Sequence, residues 1–168
     1  MKRKTHLIMG AAAAVPVAIT LSPVGAVASI WFGVAGGALP DYIDLRSEAR
    51  RSLRHRGVSH SVFMIAFLCG FSWIVLDALS RSPIELLPVP VTYVTPWTIA
   101  LGFGIGSHLL GDACTRAGIQ PLLPLLRWQF WLLPRFLRGR SEGRLNALAI
   151  AISTIVLGFG IAGYMMSY

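Results

Sequence analysis

From Leu7 to Leu39 the chain runs without a single charged side chain, and this stretch limits the possible folds more than any other feature. About 20 helical residues cross a hydrocarbon core of about 30 Å. The run is therefore too long for one crossing and too apolar for water. It is punctuated at Pro16, at Ser22-Pro23 and at Gly36-Gly37. Three further apolar runs follow: Ser61 to Leu79, Pro96 to about Gly111, and Leu145 to about Tyr164. Only 13% of the 168 residues are charged and 55% are hydrophobic, whereas a soluble domain carries about a quarter charged residues. Such a chain cannot cover its own apolar surface in water. The composition predicts an all-α integral membrane protein, a helical bundle built as one membrane domain over residues 1–168.

The formal charge of +8 is distributed as a membrane protein distributes it. Basic residues flank the apolar runs: Lys2, Arg3 and Lys4, then Arg46 to Arg56, then Arg127 to Arg144. Lys and Arg resist translocation and so fix orientation. No basic stripe is interleaved with exposed aromatics, so direct nucleic-acid binding is not expected. A single crossing by Leu7 to about Ile30 would leave the arginine-rich stretch from Asp41 to His60 on the side opposite Lys2-Arg3-Lys4, inverting the rule. A helical hairpin over 7–39, turning near Ser22-Pro23, returns that stretch to the cytoplasm. Each half then has about 16 residues, roughly 24 Å of helix, which fits either two short crossings or a re-entrant hairpin. Three further transmembrane helices follow, at 61–79, 96–113 and 145–164, with 40–60 as a cytoplasmic motif loop. A cleaved signal peptide ending at Ala26-Val27-Ala28 is the competing reading. It is disfavoured because the apolar run continues to Leu39 and because cleavage would again leave the arginines outside.

The stretch from 116 to 144 is basic, carries Trp128 and Trp131, and is broken by Pro121, Pro124 and Pro134. Arg and Trp favour the headgroup layer, so this segment reads as interfacial, with a short packed loop helix as the alternative. Cys69 and Cys114 lack metal-type spacing and read as small packing residues. Gly102, Gly104 and Gly106 lie in an apolar helix, where small residues allow close approach.

The chemistry gathers at the run ends. His6 opens the hairpin, Asp41 and Asp44 close it, His55 and His60 precede the second run, and His108 and Asp112 end the third. In the hairpin topology these seven share the cytoplasmic face. Asp77 is left out, about 17 residues and roughly 25 Å along the second run. His108 and Asp112 are four apart and project from one helical face, able to chelate one ion. An ionisable pair in an apolar helix is a functional-site hypothesis by default. Asp41 and Asp44 are three apart, after a proline. His55 and His60 are five apart and converge only if Gly57 turns the chain. Individually, each has a bland alternative: Asp41 as a helix terminator and His60-Ser61 as a cap are the lesser readings, and His6 reads equally as an interfacial residue. A mixed histidine and carboxylate set suits zinc, manganese or iron better than calcium.

The order of these motifs resembles one bacterial family. Thr5-His6, Leu39-Pro40-Asp41-x-x-Asp44, His55-Arg56-Gly57-x-Ser59-His60-Ser61, and Gly106-Ser107-His108-Leu-Leu-x-Asp112-x-x-Thr115-x-x-Gly118 with Pro121 and Pro124 are similar to the LexA-regulated, inner-membrane metal-dependent hydrolases, and Gly139-x-x-Glu142 extends the likeness. The resemblance covers residues 5–142. Ser59 stands where the family commonly carries Thr, which keeps the hydroxyl. A weaker likeness is to zinc-dependent phospholipases C. The resemblance implies a divalent metal, zinc first, held by His6, Asp41, His60, His108 and Asp112. It also implies a bacterial inner-membrane location, with membrane lipid as partner and an ester or phosphoester substrate. Arg56 would hold a phosphate or carboxylate, and Asp44, His55 or Glu142 would serve as general base or orient a ligand histidine. The rival classes are a metal- or proton-coupled transporter and a non-catalytic metal-binding scaffold. A transport pathway needs ionisable groups at several depths, and here they cluster at one face.

Overall fold

Pro23 takes the first position of a helix, where its missing N–H would have no partner in any case, and the chain reverses just before it. The computed structural model describes residues 1–48, 57–82, 89–138 and 143–167. Helix α1 (Arg3–Ala18) runs into this turn and α2 (Pro23–Glu48) runs back. A short 3-10 turn (Val58–His60) precedes α3 (Val62–Ser80), and α4 (Val91–Ala113) and α5 (Arg144–Ser167) follow. Among the described residues there is no β-sheet, only one isolated bridge between Ile119 and Phe130.

The hairpin forms where the sequence places it, but its arms are unequal. The sequence reading ends the second arm at Leu39 and treats 40–60 as a loop. The helix instead continues through Pro40 and carries Asp41 and Asp44 on its last turns. A proline inside a helix forfeits one backbone hydrogen bond. Contact of α2 with both α1 and α4 holds the helix in spite of that loss. The stretch from Pro23 to Asp44 is thus a full candidate crossing of 22 residues, with α1 a shorter helix before it. The helices α3 and α5, at 19 and 24 residues, are also long and apolar enough to span.

Helices α1, α2 and α4 pack on one another, α5 lies against α1, and α3 lies against α4. The inner trio approaches closely because glycines face each other. A Cβ on Gly33 would overlap the Gly10 carbonyl and come within 2.6 Å of the Ala14 Cβ; one on Gly104 would overlap the Gly33 carbonyl. Gly106, by contrast, faces open space and Gly102 meets only Cys69, so Gly104 alone of the three makes a backbone-to-backbone approach.

The outer helices are inverted relative to a soluble protein. Leu76 is the one buried residue of α3, and the buried residues of α5 are Asn146 and Ser153. Phe67, Phe71, Ile74, Ile152, Ile155 and Phe159 are exposed. A continuous apolar exterior of this kind requires a hydrocarbon solvent. The fold is an all-α, multi-pass membrane bundle. Its antiparallel course collects the start of α1, the end of α2, the start of α3 and the end of α4 at one end. The start of α5 joins them: Thr5 Oγ1 donates to Asn146 Oδ1 (2.9 Å), as does the Lys2 N–H (3.3 Å).

Candidate metal centre

His6 sits on the first turns of α1, Asp41 and Asp44 on the last turns of α2, and His108 and Asp112 one turn apart at the end of α4. His60 closes the 3-10 turn. Its placement is local chemistry: the Ser61 hydroxyl donates back to the Val58 carbonyl (2.7 Å) and accepts from the Met64 N–H (3.3 Å), capping α3. The Val62 N–H donates to the Pro121 carbonyl (2.9 Å), tying this corner to the loop after α4. Ser61 is the cap, which leaves the His60 ring free to point inward.

The three described histidines and Asp112 are sealed from solvent. His6, His60 and His108 are 0% exposed and Asp112 is 1% exposed. The Nε2 atoms of His60 and His108 lie 3.1 Å apart. Around them stand Asp112 Oδ2, 3.5 Å from His60 Nε2 and 3.9 Å from His108 Nε2, and Asp41 Oδ1, at 3.8 and 3.6 Å. The His6 ring stacks on that of His108, with centroids 3.7 Å apart and planes at 22°. His6 Nε2 is 3.3 Å from Asp112 Oδ1. Neither ring nitrogen of His6 has a hydrogen-bond partner.

Hydrogen bonds on the far side of each ring decide which nitrogen faces the centre. His108 Nδ1 is 2.8 Å from the Gly37 carbonyl. A carbonyl only accepts, so Nδ1 carries the proton and Nε2 presents its lone pair inward. His60 Nδ1 faces the Ser59 hydroxyl (2.9 Å) and Asp44 Oδ2 (3.5 Å), and Ser59 Oγ donates to Asp44 Oδ1. A carboxylate beside Nδ1 favours the proton there, again directing the Nε2 lone pair inward. Two lone pairs facing each other at 3.1 Å repel unless a cation lies between them. Two nitrogens on one zinc, each at about 2.0–2.1 Å, are about 3.4 Å apart at the tetrahedral angle, close to the spacing here. Two sets of three donors lie within 4.8 Å of one another: His6, Asp41 and His108, and His60, His108 and Asp112. The buried His6 ring, whose nitrogens make no hydrogen bond, fits the same cation. The donor set suits zinc or a neighbouring transition metal.

All five sequence-predicted ligands, His6, Asp41, His60, His108 and Asp112, come together at this end of the bundle. Asp44 joins them from the far side of His60. His55, Arg56 and Glu142 lie outside the described residues. Asp77 stands at the other end of α3, where Arg81 donates to both its oxygens at 3.0 Å. Sequence reasoning missed the Gly37 carbonyl, which no side-chain pattern could reveal. It also left Ser59 without a partner, although a hydroxyl directly before a predicted ligand histidine is a usable signal. The Met1 nitrogen, 2.7 Å from Asp112 Oδ1, was likewise unforeseen.

No curated protein and no solved structure matches the chain. A family match extends over residues 1–167, nearly the whole sequence, and is described as YdjM inner membrane protein. The chain therefore belongs to the YdjM inner membrane protein family.

Proposed function

We propose that this chain is a membrane-bound, metal-dependent hydrolase of an ester or phosphoester at the membrane surface. The observation that carries the reading is the pair of buried imidazole Nε2 atoms 3.1 Å apart, ringed by two carboxylates, with the Gly37 carbonyl and Asp44 on the Nδ1 sides of the two rings. His6, Asp41, His60, His108 and Asp112 are the proposed ligands, with zinc first and manganese or iron next. When bound, such an ion supplies Lewis acidity, acidifying water and polarising an ester or phosphoryl oxygen.

The chain's own residues do the rest. Gly37 and Asp44 hold His108 and His60 in orientation, and the sealed histidines keep bulk water from competing for the donors. Asp41, a fifth exposed at its side chain, is the least enclosed of the proposed ligands, and the general-base role falls to Asp44, His55 or Glu142. The arginines that the sequence carries at 46–56 and 127–144 support a cytoplasmic-facing orientation for this end of the bundle under the positive-inside rule. A transport route would need buried ionisable groups at several depths. Among the described residues the buried ionisable side chains all lie at this one end.

Metal analysis of the protein purified in detergent, wild type against His108→Ala and Asp112→Ala, tests the reading. His108 belongs to both donor sets, so its loss is expected to abolish stoichiometric metal. Unchanged metal in both variants would overturn the centre. Metal-dependent hydrolysis across a panel of phospholipids and carboxylic esters then separates an enzyme from a scaffold.

A further inference from the structure

Immediately beyond Asp112 the chain builds a second concave site. The loop after α4 is folded back onto the helix end. The Leu132 N–H donates to the Ala113 carbonyl (3.0 Å), Ile119 and Phe130 exchange backbone hydrogen bonds (3.1 and 2.8 Å), and Gln129 Nε2 donates to the Ala117 carbonyl (2.8 Å). Gly118 makes the turn at φ +67°, where a Cβ would also strike the Trp131 ring nitrogen at 2.6 Å. This fold-back lays residues 131–138 beside Arg116. The described residues lining the resulting cavity, of about 430 Å³, are Arg116, Arg135 and Arg138.

None of the three guanidinium groups meets a carboxylate among the described residues. Arg138 is held in place rather than waving in solvent: its Nε donates to the Leu133 carbonyl (2.8 Å), and its guanidinium carbon lies 4.5 Å above the Trp131 ring. Trp131 is itself anchored through Nε1 to the Arg116 carbonyl (3.2 Å). Three like charges converging on one hollow, one of them pre-oriented, repel each other and gain by sharing an anion. The planar fork of arginine matches the oxygens of a phosphate. Exposed Leu125, Leu126, Trp128, Phe136 and Leu137 on the same loop are side chains suited to the headgroup layer.

We infer that the Arg116–Arg135–Arg138 cavity binds a phosphate group, which on the hydrolase reading belongs to a phosphoester substrate or to the phosphate released from it. The choice of ester rests on the hydrolase reading, whereas the anion site stands without it. The source is either a lipid headgroup or a free phosphate.

The test is a binding titration on the full-length protein in neutral detergent with a chelator present, so that no metal contributes. The probes are inorganic phosphate and short-chain phosphatidic acid, with the matching diacylglycerol as the uncharged control. Wild type is expected to bind at least one phosphate probe, more weakly as salt rises, and not the diacylglycerol. Arg116→Gln and Arg135→Gln alter exposed side chains and leave the fold intact. Each is expected to weaken binding about tenfold, with the wild-type metal content retained after reloading. Tighter binding of phosphatidic acid assigns the site to a lipid headgroup, and tighter binding of inorganic phosphate assigns it to the free ion. Absence of binding by wild type, or equal binding by both variants and wild type, overturns the inference. Failure of the hydrolase reading looks different: phosphate binding persists while no phosphoester is cleaved.

Discussion

Replacing Asp44 by Asn tests the orientation of His60 with almost no change in volume at a side chain that is 4% exposed. Asp44 lies on the Nδ1 side of His60, with Oδ2 3.5 Å away and Oδ1 accepting from Ser59. As a carboxylate it can only accept, so it draws the imidazole proton to Nδ1 and leaves the Nε2 lone pair for the centre. An amide can donate instead. It would favour the opposite tautomer, with the proton on Nε2 pointing at His108 Nε2 only 3.1 Å away. Metal binding would then have to reverse that tautomer. Loss of a carboxylate behind a ligand histidine typically costs ten- to hundredfold in metal affinity, about 1.4–2.8 kcal/mol. The assay is competition for zinc against a chromophoric chelator at fixed pH, wild type beside Asp44→Asn. Ser59→Ala is expected to give a smaller loss, because it leaves the carboxylate. Equal affinity of wild type and Asp44→Asn would refute the tautomer reasoning and leave His60 without its assigned role.

Two further outcomes check the frame around the centre. Gly33→Ala places a methyl group against the Gly10 backbone and the Ala14 side chain, and overpacking of this kind costs about 1–3 kcal/mol. Thermal unfolding in detergent is expected to show a clear drop for Gly33→Ala and none for Gly158→Ala, which meets open space. Single cysteines at exposed positions 81 and 135, in a background with Cys69 and Cys114 changed to Ser, report sidedness. An impermeant thiol reagent applied to intact cells is expected to label position 81 and to reach 135 only after permeabilisation; the reverse pattern would overturn the orientation.

Much of the bundle is legible in the chain because the signals are local. Helix length and apolarity in α3 and α5, the reversal at Ser22-Pro23 and the four-residue spacing of His108 and Asp112 each depend on neighbours a few positions away. Pro40 is the case where local reasoning misleads. As a helix breaker it suggests a loop, and the packing of α2 between α1 and α4 overrides it. The consequence is more than a boundary: Asp41 and Asp44 are carried on a rigid helix. The glycine-lined crossings are half legible, since the sequence marks Gly104 and Gly106 alike and only the packing shows that Gly104 alone meets another backbone.

By itself the sequence determined that this is a helical membrane chain with its histidines and aspartates at helix ends, because solvent and period are written residue by residue. Only the tertiary structure decided that His6 stacks on His108, that the Gly37 carbonyl and Asp44 stand at the Nδ1 side of two histidine rings, and that three arginines line one cavity in the loop after α4. Those contacts join positions far apart in the chain. They exist only once close helix packing has fixed the distances, and no spacing in a linear sequence encodes that packing. The polar groups gathered at one face were visible from the start; the fold is what turned them into a centre.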